Sequence, residues 1–159
     1  MQEQFLRACV NGDVATVSKL LLSVNPSAKH NFAIRNASTY GLVEVVRELL
    51  KDSRVDPSEQ NNIAIQSASS RGYTDIVKLL LTDSRVDPSD QNNWAIRLAS
   101  EKGHLEIVRL LLEDPRVDPS VINNRAIRLA TKNEHTEVVQ LLTEHMYRLD
   151  GPIYNQGIL

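Results

Sequence analysis

Two kinds of apolar run alternate along this chain. Within residues 56–86, Ala64, Ile65 and Ala68 lie at mutual spacings of one, three and four, a narrow stripe on a helix over residues 63–70. A second helix over residues 74–82 carries Ile76, Val77, Leu79, Leu80 and Leu81, with Lys78 nearly alone as an interior polar residue. A helix apolar around most of its circumference must be covered by its partner helix and by neighbours on either side. Between the two, Gly72 predicts a left-handed helix end, a conformation that costs residues with a Cβ energy. Upstream, Asp56-Pro57-Ser58 predicts a turn, Glu59 and Gln60 a loop, and Asn61-Asn62 an N-cap for the first helix.

The unit recurs. Residues 55–85 and 86–116 are identical at 19 of 31 positions, and 117–127 repeats the opening of the unit more loosely. Aligned on the glycine after the first helix, Gly12, Gly41, Gly72 and Gly103 are followed by Glu134, at spacings of 29, 31, 31 and 31. Five units result: 1–24, 25–55, 56–86, 87–117 and 118–149, with a tail at 150–159. The first keeps only its helix pair, with Phe5 and Ala8 in the places of Ile65 and Ala68, and reads as a cap. A fixed period of this size predicts a stacked solenoid, in which each unit depends on its neighbours for burial and function lies on a surface built by stacking. In the last unit Glu134 replaces the glycine, and Asn133 is expected to take over the left-handed turn.

The segment from Gly103 through Leu112 and the stretch Ala95-Ile96-Arg97-Leu98-Ala99-Ser100 together resemble the ankyrin repeat, as does the small residue recurring at Ala37, Ala68, Ala99 and Ala130. The resemblance spans all five units and implies an all-α solenoid of helix-turn-helix repeats. The family's Thr-Pro-Leu-His signature is missing: threonine is replaced by Phe32, Ile63, Trp94 or Arg125, proline by alanine, and histidine by Arg35, Gln66, Arg97 or Arg128. The period of 31 falls two short of the family's usual 33. The shortfall is assigned to the inter-repeat hairpin, which is expected to shrink to a compact loop. The resemblance also implies that His104 and His135 cap the second helices.

Against a constant frame, one first-helix position changes freely: Phe32, Ile63, Trp94, Arg125. Either it is an outward contact position, where the sole tryptophan is a natural anchor, or its apolar members fill space between repeats. A second variable set precedes each glycine: Thr39 and Tyr40, Ser70 and Arg71, Glu101 and Lys102, Lys132 and Asn133. The resemblance places this end of the first helix on the concave recognition face; taken singly, each residue also reads as a solvated helix end. Arg35, Gln66, Arg97 and Arg128 form a polar ladder, expected to bond loop carbonyls between repeats or to meet an acidic partner. Arg54, Arg85 and Arg116, each flanked by aspartates, read as local ion pairs, and one asparagine of each pair as a rung along the loops.

Composition narrows the function. A net charge of −2 and a pI near 6.1 motivate neither a nucleic-acid nor an anionic-membrane surface. Apolar runs stay far below a membrane span, and the first residues lack a basic region followed by an apolar stretch. The single cysteine, Cys9, aligns with Ser38, Ser69, Ser100 and Thr131 and reads as a small interior residue in a reducing compartment, the cytoplasm with the nucleus as alternative. The histidines at 30, 104, 135 and 145 have no metal-ligand spacing, and no phosphate loop or nucleophile elbow is present. No catalytic residue, metal or cofactor is expected. The leading reading is a monomeric, non-catalytic module that binds a protein partner through first helices and loops. Its rivals are a structural spacer or repeat block of a larger protein, and an adaptor whose tail is the functional ligand.

Overall fold

A computed structural model describes residues 1–150, which form ten helices and, among the described residues, no strand. They come in five pairs: α1 (Gln2–Asn11) with α2 (Val14–Leu21), α3 (Ala28–Thr39) with α4 (Val43–Leu49), α5 (Glu59–Arg71) with α6 (Thr74–Leu81), α7 (Asp90–Lys102) with α8 (Leu105–Leu111), and α9 (Val121–Lys132) with α10 (Thr136–Asp150). The odd-numbered first helices pack on one another in one layer and the even-numbered second helices in another. Between the layers run two buried columns, Phe5, Ile34, Ile65 and Ile96 from the first helices and Leu49, Leu80, Leu111 and Leu142 from the second. The expected all-helical solenoid is thus present. Its inter-repeat connections are compact turns, closed by Val55, Val86 and Val117 N–H donating to the Asp52, Asp83 and Asp114 carbonyls, each at 3.0 Å. The tail after Asp150, read as a cover or a ligand, lies outside the described residues.

The asparagine pair does something other than cap. Each first helix from α3 on starts after a serine, Ser27, Ser58, Ser89 or Ser120, none of which caps through its side chain. Next comes one turn of left-handed backbone. Lys29–Asn31, Gln60–Asn62, Gln91–Asn93 and Ile122–Asn124 all have φ between 52° and 60°. The expected loop at Glu59 and Gln60 is therefore the start of a kinked helix. Asparagine tolerates left-handed backbone better than most residues, which accounts for the pairs at 61–62, 92–93 and 123–124.

The second asparagine also ties the repeats together. Asn31, Asn62 and Asn93 are buried, and their Oδ1 atoms accept the N–H of Asp56, Asp87 and Asp118 in the next repeat at 2.7, 2.8 and 2.8 Å. The Asn31 and Asn62 amides donate onward to Glu59 and Asp90. Each of those three aspartates in turn accepts the N–H and hydroxyl of the serine two residues on, fixing the turn.

A second set of ties runs through arginine. Arg54, Arg85 and Arg116 donate to the carboxylates of Asp52, Asp83 and Asp114, and the same guanidinium groups reach back to the carbonyls of Val24, Val55 and Val86 in the preceding repeat at 3.1, 2.7 and 3.1 Å. The aspartate thus aims an arginine that staples two repeats. The arginine hydrogen bonds hold all three carboxyls below the ordinary 3.8. A carboxyl depressed in the fold stabilises it above the unfolded value, and the contribution is lost as pH falls through the depressed value. The urea midpoint is therefore expected to be level between about pH 7 and 5 and to drop below about pH 4. Chemical denaturation along a pH series checks this, and Arg85→Met should flatten the drop.

The glycine position behaves as predicted in four repeats: Gly12, Gly41, Gly72 and Gly103 all have φ between 75° and 80°. In the fifth, the left-handed residue is Glu134 itself, at φ 61°, while Asn133 stays at φ −98°, contrary to the expectation for Asn133. The register of the turn is fixed by the His135 N–H bonding the Ala130 carbonyl, as His104 bonds Ala99, and this leaves the left-handed slot at position 134. Glu134 is exposed, so Glu134→Gly removes little packing and relieves the backbone. It is expected to raise stability by about 1 kcal/mol, read as a higher urea midpoint.

Candidate functional site

The first-helix layer carries every residue singled out as a contact candidate. At the variable position, Phe32 is half-buried against the core and Ile63 is half-buried, whereas Trp94 is 37% exposed and Arg125 is exposed. Of the two readings, filling suits Phe32 and contact suits Trp94 and Arg125.

The set before each glycine also divides. Thr39 turns its hydroxyl back onto the Arg35 carbonyl at 2.8 Å. The Ser70 carbonyl faces His104 Nε2 at 3.2 Å, and the Glu101 carbonyl faces His135 Nε2 at 3.1 Å while also accepting the Asn133 amide at 3.0 Å. Ser70, Glu101 and Asn133 therefore join repeats. So do the two histidines, which bond the preceding repeat rather than capping their own helices with their side chains, because their rings lie over the glycine of that repeat. Tyr40, Arg71, Lys102 and Lys132 are left with their side chains in solvent. Tyr40 is 61% exposed, with the Arg71 guanidinium 6.0 Å from its ring centre, and Lys102 lies 3.8 Å from the Glu101 carboxylate.

The polar ladder is not the inter-repeat device expected of it. Arg35 donates to the His30 and Lys29 carbonyls at 2.7 and 3.2 Å, and Gln66 to the Asn61 carbonyl at 2.6 Å. Both satisfy the left-handed turn of their own repeat, which exposes carbonyls that a right-handed helix would have paired. Arg97 breaks the series. Its guanidinium lies over the Trp94 ring, 4.4 Å from the centre, and its Nε is enclosed without a partner. Burial first, and then the charge of Arg125, pull the Arg97 guanidinium below its ordinary value. Sequence reasoning placed Arg97 in the ladder, with an acidic partner as the alternative to loop carbonyls, and did not pair it with Trp94. The signal available was Trp94 three residues before it on the same helix face, followed by Arg125 and Arg128 one repeat on.

Other chemistry is sparse. Cys9 is wholly buried, and burial pushes its thiol up to about 12, so it is protonated at neutral pH. Among the described residues no group of three or more His, Cys, Asp or Glu is placed to hold a metal. No described helix is long and apolar enough to cross a membrane.

A family model of ankyrin repeats in three copies matches residues 5–92, and one of ankyrin repeats in many copies matches residues 96–143. No curated protein sequence matches the chain. Ankyrin repeats generally mediate protein–protein interaction and are typically non-catalytic. The helix pairs, the left-handed glycine after the first helix of four repeats and these matches together establish that the chain belongs to the ankyrin-repeat family.

Proposed function

We propose that the array binds a protein partner through its first-helix layer, the concave face in ankyrin arrays, as a monomeric and non-catalytic scaffold. One observation carries this reading. The constant polar residues Asn31, Asn62 and Asn93, Asp56, Asp87 and Asp118, and Arg54, Arg85 and Arg116 are occupied by bonds within and between repeats, while the exposed first-helix residues change chemistry from repeat to repeat. A frame held by its own ladders loses little ordering entropy on binding, so a few anchors can dominate affinity. The compact loops, with their aspartates and arginines already paired, contribute less than the helices.

The test is capture of a partner by the full chain, followed by alanine at Phe32, Tyr40, Trp94 and Lys102 in turn. Trp94→Ala and Tyr40→Ala are expected to weaken capture by about tenfold or more, the size of a buried aromatic anchor, with unchanged helical content. Phe32→Ala should act mainly on stability. Undiminished capture by both the Trp94 and Tyr40 variants would remove the first-helix layer as the binding face.

A further inference from the structure

The end of the first-helix layer formed by α7 and α9 is a basic patch on a chain whose net charge is −2. α9 contains Arg125, Arg128 and Lys132 and no acidic residue. These three cations line a shallow depression together with Ile127, Leu129 and Thr131, and the two carboxylates of α7 are engaged elsewhere, Asp90 by the Asn62 amide and Glu101 by Lys102. Beside it, Arg97 is 5% exposed, stacked on Trp94, and makes no hydrogen bond or ion pair among the described residues. A buried cation without a counter-charge is costly, and a second cation nearby adds to that cost. Arg35 and Gln66, at the same position in earlier repeats, are held by backbone carbonyls. Arg97 alone of the three is held flat by an aromatic face with its donors unused.

From this geometry we propose that the α7–α9 end of the surface is a docking site for an acidic segment of a partner protein, with a glutamate or aspartate carboxylate received by Arg97 and flanking carboxylates by Arg125, Arg128 and Lys132. The proposal rests on the first-helix layer being the binding face and names the chemistry of its partner. A guanidinium fixed in plane presents parallel donors that match a carboxylate in two-point fashion, and the carboxylate supplies the missing counter-charge. The patch spans two neighbouring helices, about 8–10 Å between axes, which fits a short acidic stretch. A long nucleic-acid backbone would run past it onto a surface that is net acidic overall.

Trp94 is the only tryptophan, so its fluorescence reports directly on this site. The full chain is titrated with a short glutamate-rich peptide, with the same peptide carrying glutamine instead, and with a single-stranded oligonucleotide of matching length. The glutamate peptide is expected to change the Trp94 emission saturably and the glutamine peptide to leave it unchanged. Affinity for the glutamate peptide should fall about tenfold in Arg97→Gln and again in Arg125→Gln, while Lys78→Gln, exposed on α6 in the second-helix layer, has no effect. Arg97→Gln installs the residue that already serves at position 66, where it bonds the turn carbonyl at 2.6 Å. The variant is therefore expected to keep its fold, as circular dichroism would record. Equal response to both peptides, tighter binding of the oligonucleotide, or indifference to Arg97→Gln and Arg125→Gln overturns the proposal. If a captured partner is lost with Trp94→Ala but ignores both arginine variants, the binding face stands and the acidic preference falls.

Discussion

Gly103→Ala is expected to destabilise the protein by about 3 kcal/mol, from two sources that add. Residue 103 sits at φ 75°, where any Cβ strains the backbone by about 1–2 kcal/mol. The new Cβ would also lie 2.6 Å from His135 Nδ1 and 2.7 Å from Cε1. That ring cannot swing away freely, because its Nε2 faces the Glu101 carbonyl at 3.1 Å and joins the fourth repeat to the fifth. Gly12→Ala provides the comparison. It has the same φ, but its Cβ would meet only Leu42 Cδ2 at 3.5 Å, an ordinary contact. Its cost should therefore be the backbone part alone, about 1–2 kcal/mol. Urea denaturation of the two variants separates the terms; equal losses would mean that the histidine packing contributes nothing.

Asn62→Ala should cost a similar amount, about 3 kcal/mol, for a different reason. Asn62 is 5% exposed at φ 60°, and its side chain supplies the acceptor for the Asp87 N–H and a donor to the Asp90 carboxylate, both at 2.8 Å. Alanine leaves that part-buried N–H without its acceptor, worth about 1–3 kcal/mol, and adds the greater strain of alanine in left-handed backbone. The tie lies between the third and fourth helix pairs, in a molecule whose repeats touch only their neighbours. Breaking it should therefore also broaden the unfolding transition, as the halves uncouple. Asn61→Ala, at an exposed position with the same backbone, should show only the strain, about 1 kcal/mol, and a transition as sharp as the parent's.

The period, the helix pairs and the left-handed glycines were legible because each rests on a local rule repeated several times over. Leu79-Leu80-Leu81 has no reading in water except as a buried helix, and Gly72 after Ala68 has few roles other than a helix stop. The left-handed turn at Gln60–Asn62 was not legible, since Asn-Asn suits a cap and a left-handed bend equally. What decides between them is the Asp87 N–H, 25 residues away in sequence. The same holds for Arg54, Arg85 and Arg116. Their flanking aspartates announce ion pairs, but the valine carbonyls that turn those pairs into staples belong to the preceding repeat. Glu134 shows the reverse case: the local preference pointed to Asn133, and the hydrogen-bond register shared with the other repeats overrode it.

In the candidate surface, exposure decided what sequence variation alone could not. Phe32 and Trp94 occupy one repeat position, yet Phe32 packs on the core while Trp94 reaches solvent above Arg97. Ser70 and Glu101 looked variable because inter-repeat bonding there uses their backbone carbonyls as acceptors, which leaves the side chain freer to change.

The most direct test of the binding face is a backbone and methyl NMR shift map of the whole chain, free and with its captured partner. Shifts are expected to cluster on the exposed first-helix residues, Tyr40, Arg71, Trp94, Arg125 and Lys132, while Asp75, Lys78, Glu106 and Arg109 on the second helices stay still. Shifts confined to α6, α8 and the arginine-stapled turns, with Trp94 and Tyr40 unmoved, would contradict it.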